Sequence, residues 1–231
     1  MISFSEIYDQ AINLIDDPII DRAYFEDSVR FQKLMYPYLK NGIDTFNNPT
    51  SVRIALMDQT PPEGQLEIFD GDGGKTYTVT ATPKDGAEFS YRIGTQIDFG
   101  ASYDSVSKTV TFTREVPIGS KCSFEWYSCG QFNSDFSECS SPRNSKKYIQ
   151  DTVIGILSRS TVLSWAAKER DFLLDVRSIL TDTDFKLHSN ANTTRAKVEW
   201  YESIRQELDT LVTKFSWNLL SRKYHGGNYY G

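Results

Sequence analysis

The sequence predicts an α+β protein in which a helical bundle built from both chain ends carries an inserted antiparallel β-sandwich or barrel module. Two observations lead to this prediction. Between residues 51 and 127, apolar and polar side chains alternate repeatedly, as in strands whose successive side chains point to opposite faces. On both sides of this stretch, apolar residues instead recur three and four positions apart, which is the spacing of one helix face.

The middle stretch contains about seven short candidate strands, which recur at roughly 8–12-residue spacing and so favour a small sandwich or barrel. Clusters of proline, glycine and aspartate separate them, as expected of turns. The candidate strands cover residues 52–56, 66–69, 77–81, 89–93, 97–99, 110–112 and 122–126.

The N-terminal side begins with an amphipathic helix. Residues 4–15 place their apolar side chains on one face, and Ser3 or Ser5 can accept a hydrogen bond from the first free N–H groups. Pro18 follows two aspartates, and because proline cannot continue the hydrogen-bond ladder, we expect the helix to end there.

A second helix begins near Asp21 and keeps a helical apolar pattern as far as Phe46. Pro37 lies inside this pattern. Proline lacks the N–H that would bond to the preceding turn, so we expect a kink or a break at this point.

The composition changes after residue 127. Residues 128–147 are rich in serine, cysteine, asparagine and glycine, and this composition predicts a linker in which Phe132 and Phe136 are isolated and not part of a core element. A helical stripe then runs from residue 148 to 180, with a weak point at 158–161 where one long helix could become two.

The last helix has the most regular pattern in the chain, with the residues of one stripe three and four apart from Lys197 to Leu219 and apolar from Tyr201 onward, which predicts a helix of more than about 25 residues. A glycine- and tyrosine-rich tail follows. Aromatic residues at a chain end are candidates for contacts with another molecule, although docking on the parent subunit remains an alternative. The candidate assembly residues are Trp217, Tyr224, His225, Tyr229 and Tyr230.

These elements define the expected domains. The boundaries are 1–49 with 141–223 for the discontinuous helical bundle, 50–128 for the β domain, 129–140 for a linker and 224–231 for a flexible tail. The alternative is two independent domains joined at Pro49 and again near Ser140.

Composition excludes several classes of function. The net charge of −6 argues against a protein that coats DNA or membranes, because both need a positive surface. No apolar run approaches the ~20 residues that span a bilayer. The first residues also lack the charged start and apolar core of a signal peptide.

No group of residues predicts catalysis, a cofactor or a metal site. His188 and His225, expected in a loop and in the tail, have no neighbouring nucleophile or metal-ligand partner. The Asp70-Gly-Asp72 sequence lacks the later ligands of a calcium loop, and a tight hairpin turn explains it better.

The cysteine count is odd and includes no Cys-x-x-Cys pair. We expect free thiols, with Cys122 packed inside a strand. A disulfide between Cys129 and Cys139 remains the alternative.

Two stretches resemble a known family. Residues 4–12 and 31–39 resemble the start of structural proteins from the neck of tailed bacteriophages. Residues 184–192, followed by a long charged helix and an aromatic tail, are similar to the ends of the same proteins. The inserted β module departs from the small all-helical members of this class. The resemblance therefore does not assign the protein to one particular layer of the neck.

The resemblance implies a head–tail connector (adaptor) protein that forms a ring, usually of twelve copies, beneath the portal. Its implied partners are its own copies, the portal protein and the next neck or tail protein, with DNA passing through the lumen without sequence-specific binding. It implies no catalytic residue, cofactor or membrane, and a location in the virion after assembly in the host cytoplasm. An acidic lumen would let DNA slide.

Two other classes of function remain. The β module could be a receptor- or carbohydrate-binding module of a phage tail or baseplate, which exposed aromatic residues on that module would favour. An enzyme is the third class, and the missing catalytic constellation argues against it.

Overall fold

The fold is α+β, as the sequence predicts. The computed structural model describes residues 1–15, 17–45, 50–139, 145–180 and 188–225, with side chains described except at 44–45, 170–180, 188–194 and 220–225. None of the described helices is both long and apolar enough to cross a membrane. The six described helices are α1 Phe4–Ile12, α2 Pro18–Glu26, α3 Ser28–Thr45, α4 Thr50–Met57, α5 Lys146–Leu180 and α6 His188–His225, with a 3-10 turn at Ser137–Cys139.

The described strands form three sheets, and none of these closes into a barrel. Their orders are β1-β10-β2, β3-β9-β5-β6 and β4-β8-β7, and every pair in the second and third sheets is antiparallel. The strands are β1 Ile2–Ser3, β2 Gln59–Thr60, β3 Glu63–Asp70, β4 Thr76–Thr78, β5 Glu88–Ile93, β6 Gln96–Ile97, β7 Ser102–Asp104, β8 Thr109–Thr111, β9 Lys121–Ser128 and β10 Gln131–Phe132.

The chain divides into two compact units whose bounds differ from the expected domains. The first unit comprises Met1–Ile15, Met35–Gln59 and Phe132–Gly231, and the second comprises Asp16–Leu34 and Thr60–Gln131. Residues 16–34 therefore group with the strands, although the sequence pattern assigned them to the helical bundle.

In the first unit, α1 packs against α5, and α5 packs against α6. Ser3 caps α1 by accepting a hydrogen bond from the N–H of Ser5. Ser158 lies where we expected α5 to divide, yet the helix is continuous. Its hydroxyl is fully buried and contacts the carbonyl oxygens of Ile154 and Ile7, at 2.7 and 3.0 Å, so this polar residue joins α5 to α1.

In the second unit, two antiparallel sheets share one hydrophobic core. Phe124 of β9 is fully buried at its centre, and its ring lies 5.6 Å from that of Tyr91 and 5.1 Å from that of Tyr103. The buried members of this core are Tyr77, Val79, Ala81, Ile93, Val110, Phe112, Val116, Cys122, Phe124 and Trp126.

The first predicted strand is wrong, because residues 50–57 form helix α4. Val52 and Leu56 are completely buried and lie four positions apart, whereas Ile54 between them is exposed. That spacing places the two buried side chains on one helix face. A short segment with apolar residues at every second position fits both periods, and here the helical one applies.

Two further expectations are corrected by the structure. α3 continues through Pro37, so no break occurs there. Phe132 and Phe136 are not isolated linker residues, since both are fully buried. The Phe132 ring contacts Phe4 edge-on, with 4.8 Å between ring centroids, so this segment contributes to the core of the first unit.

Among the described thiols there is no disulfide, because Cys122, Cys129 and Cys139 are all free. Cys122 is buried in β9 as predicted, and burial raises the pKa of this thiol to about 11. The alternative Cys129–Cys139 bridge is therefore wrong.

We predict that Phe124→Ala lowers the free energy of unfolding of the second unit by about 3–5 kcal/mol, because it removes a buried ring and leaves a cavity. Phe99 belongs to the same unit but is 72% exposed, and Phe99→Ala is the matched control with an expected change within about 0.5 kcal/mol. Urea denaturation followed by circular dichroism measures both. Equal losses in the two variants would contradict this core.

Candidate functional site

The structure does not bring the sequence-predicted assembly residues together as one described site. Trp217 lies on α6 with 68% of its surface exposed. Tyr224 and His225 are the last two residues of α6, so they are helical and not part of the expected tail, and their side chains lie outside the described set. Tyr229 and Tyr230 lie outside the described residues.

His188 is the first residue of α6 and not a loop residue, and its side chain also lies outside the described set. No three His, Cys, Asp or Glu residues within the described ranges form a group that could hold a metal ion.

The Asp70-Gly-Asp72 segment forms a turn between strands of different sheets, so the expected hairpin is wrong. β3 pairs with β9, whereas β4 pairs with β8. The Asp72 carboxylate accepts hydrogen bonds from the Gly74 N–H and the Tyr77 hydroxyl, at 2.8 Å each. These two bonds lower the pKa of Asp72 and fix the turn.

The strongest candidate site lies in the second unit, on the side of sheet β3-β9-β5-β6 that faces away from the hydrophobic core. Strand alternation and register place every second side chain on this side, which we call the outer face. Its residues include Leu66, Ile68, Ser90, Arg92, Ser123, Glu125 and Tyr127.

Asp27 positions the first turn of α3 next to the outer face. Its carboxylate accepts a hydrogen bond from the Arg30 N–H at 3.2 Å, and its carbonyl accepts one from the Phe31 N–H at 2.9 Å. The Asp27 N–H donates to the carbonyl of Ala23, the last bond of α2. A single aspartate thus ends one helix and begins the next.

Two ion pairs connect α3 to the strands. Arg92 of β5 donates to Asp27, and Lys33 of α3 donates to Glu125 of β9. The Lys33 ammonium also lies 5.4 Å from the centre of the Tyr127 ring. The Asp27 side chain is only 5% exposed, so its charge is removed from water and depends on Arg92 for compensation.

A cleft of about 340 Å³ lies between α3 and the outer face. This volume is at the lower end of the range for small-ligand sites. Its wall combines three cations, one carboxylate, two hydroxyl groups and one aliphatic side chain. The lining residues are Arg30, Lys33, Leu66, Ser90, Arg92, Ser123 and Glu125.

Two buried polar atoms of the second unit, one of them in the cleft wall, lack a protein partner. The hydroxyl of Ser90, a residue 6% exposed, makes no hydrogen bond within the described structure. Gln32 donates through Nε2 to Glu88 at 2.8 Å, but its Oε1 atom is likewise unpaired. Buried polar groups are almost always hydrogen-bonded, so an unpaired hydroxyl in a cleft wall is a candidate for binding a ligand or water.

The charges at the cleft do not balance. Arg92 pairs with Asp27 and Lys33 pairs with Glu125, whereas the exposed Arg30 side chain makes no described ion pair or side-chain hydrogen bond. A free guanidinium beside hydroxyl donors suits a carboxylate or another oxyanion. The arrangement can therefore bind an anionic group, and it has no nucleophile–base pair among its lining residues.

Sequence reasoning missed this cleft because its residues lie far apart along the chain and join only through the strand register. The available signal was the polar half of the alternation, in which Ser90, Arg92, Ser123 and Glu125 occupy the positions between apolar residues.

Comparison with protein-family models, with curated proteins and with solved structures finds no match to this chain. Function therefore has to be argued from the chain itself.

We predict that Asp27→Asn lowers the free energy of unfolding of the second unit by about 1–3 kcal/mol, because asparagine can still cap α3 but leaves the half-buried Arg92 without its counter-ion. Glu26→Gln is the control, since it removes an exposed pair with Arg22 and should change stability by less than about 0.5 kcal/mol. Urea denaturation of both variants measures the two changes in the free energy of unfolding. A loss in Asp27→Asn no larger than that in the control would refute the role of this pair.

Proposed function

We propose that the protein is a structural component of the neck of a tailed bacteriophage, in which copies of the chain form a ring that joins the portal to the tail. The resemblance of both chain ends to neck proteins supports this proposal. The structural observation that carries it is the exposure of a large aromatic residue, Trp217, on a long helix.

Exposing Trp217 is unfavourable in an isolated subunit. A tryptophan buries about 150–250 Å² when covered. At about 25 cal/mol per Å², covering the 68% that is exposed would stabilise a contact by roughly 3 kcal/mol. A neighbouring subunit or the portal provides such a cover in an assembled ring.

The first unit is the proposed ring body, as a helical bundle made from both chain ends. α5 has 35 residues and α6 has 38. At 1.5 Å per residue they extend about 52 and 57 Å. Among the described side chains of α6, only Ile204, Leu208 and Phe215 are buried, which leaves most of that helix available to other molecules. The second unit is the proposed inserted β-sandwich.

In this role the protein acts without catalysis. Its proposed partners are its own copies, the portal protein and the next neck or tail protein, and its location is the virion. The acidic net charge of −6 suits a lumen through which DNA moves without being held.

A receptor- or carbohydrate-binding role for the β unit is the second candidate. The observation that favours it is Phe99, which follows β6 and is 72% exposed. An exposed aromatic ring can stack on a sugar or contact a receptor. Binding of purified protein to host cell envelopes, lost in Phe99→Ala, would support this candidate over the neck role.

We predict that Trp217→Ser weakens binding of the purified protein to neckless, DNA-filled capsids by about tenfold or more, since tenfold corresponds to about 1.4 kcal/mol. Tyr148→Ser is the matched control, because it removes an exposed aromatic from α5 of the same unit. Co-sedimentation with the capsids measures the binding. Thermal unfolding of the free protein should be nearly unchanged in both variants.

Deleting residues 226–231 tests the expected tail in the same assay. Weaker capsid binding with unchanged unfolding would support its assembly role. Wild-type binding by both the Trp217→Ser variant and the truncated chain would contradict the proposed function.

A further inference from the structure

The strand β3 is an edge strand with unpaired backbone groups. It ends the sheet order β3-β9-β5-β6. The Gly71 N–H bonds to the Ser120 carbonyl at 2.8 Å, and bonded pairs in an antiparallel ladder recur at every second residue. The N–H and C=O groups of Gly64, Leu66 and Ile68 therefore point away from β9, and they have no hydrogen bond within the described structure.

This edge also exposes aliphatic side chains. Leu66 and Ile68 are 50% and 60% exposed on the outer face, side by side along the strand. Natural edge strands are usually protected from pairing by lysine, proline, a bulge or a covering segment. Residues 63–70 contain neither lysine nor proline, and β3 pairs with β9 through all eight residues without a bulge.

Two of the three acidic residues of β3 lie on the inner side, and the third, Asp70, lies on the outer face at the end of the strand, where it pairs with Lys121. Glu67 accepts hydrogen bonds from the backbone N–H groups of Thr80 and Ala81, and Glu63 pairs with Lys84. These contacts place the segment after β4 beside the inner side of the edge. A strand added at the edge would meet this segment on its inner side, so small side chains suit that side.

The cleft adjoins the same edge. Leu66 lines it together with Arg30, whose guanidinium is unmatched, and Ser90, whose hydroxyl is unpaired. A carboxylate held above Leu66 would be compensated by Arg30.

We propose that β3 binds an extended segment of another polypeptide as an added strand, with apolar side chains against Leu66 and Ile68 and one carboxylate directed to Arg30. Main-chain hydrogen bonds to Gly64, Leu66 and Ile68 supply affinity in this mode, and the alternate side chains supply specificity. The charge of the cleft selects an acidic segment over a basic one. This inference goes beyond the proposed neck role and does not depend on it.

The probe is a fluorescein-labelled peptide Thr-Val-Thr-Glu-Thr-Val-Thr, which places valine, glutamate and valine on one face and threonines on the other. A second peptide with lysine in place of glutamate is its matched control. Fluorescence anisotropy with the full-length protein measures both affinities. We expect the glutamate peptide to bind at least about tenfold more tightly, equivalent to about 1.4 kcal/mol.

Three variants of the protein locate the binding. Arg30→Gln should bring the two affinities within about twofold of each other, because it removes the charge that distinguishes the peptides. Ile68→Lys places a charge on the edge and should abolish binding of both peptides. Val106→Lys is the control, since it adds the same charge at an exposed residue of the turn after β7 and should bind as the wild type does.

Several outcomes would overturn the proposal. The first is that the glutamate peptide does not bind. The second is that the preference for glutamate persists in Arg30→Gln, and the third is that Ile68→Lys binds the peptides as the wild type does. Self-association of the wild type that Ile68→Lys abolishes, without peptide binding, would instead assign the edge to a second copy of this chain. Amide hydrogen exchange of Gly64, Leu66 and Ile68 should slow when the glutamate peptide is bound.

Discussion

The buried carboxylate of Asp27 is the group on which the arrangement of the second unit depends. It caps α3, pairs with Arg92 of β5 and follows the last residue of α2 directly. A charge removed from water is stabilised only when an oppositely charged group lies close to it in good geometry. The contact with Arg92 therefore fixes the start of α3 over the outer face. Arg30 and Lys33 lie on the first turns of that helix, and their positions create the cleft.

Each unit exposes apolar residues, and these residues support the proposal that the protein is a component of an assembly. Trp217 on α6 belongs to the first unit, and Leu66 and Ile68 on β3 belong to the second. Each is a surface that another molecule can cover, and the buried core of the second unit is complete without them. In the proposed role, other molecules bind to these surfaces and the fold holds the surfaces in place.

Local patterns in the sequence predict most of the fold but little of the site. The strand β9 was predictable because one of its faces is buried, so alternation marks each second residue. The strand prediction for the segment that forms α4, residues 50–57, was wrong because apolar side chains at every second position of a short segment also fit a strand. Only the burial of its side chains distinguishes the helix. Phe132 and Phe136 were missed because no period marks them. The cleft joins residues 30, 66, 90 and 123, whose proximity depends on tertiary pairing, and no local pattern contains that information.

In the proposed role, copies of this chain assemble into a ring on the portal. Negative-stain electron microscopy of the purified protein, alone and mixed with portal rings, tests it most directly. If the protein has the neck role, the images show rings, or portal particles that carry an added layer with the symmetry of a ring. Monomeric particles in both samples, with portal rings unchanged in height, would contradict it.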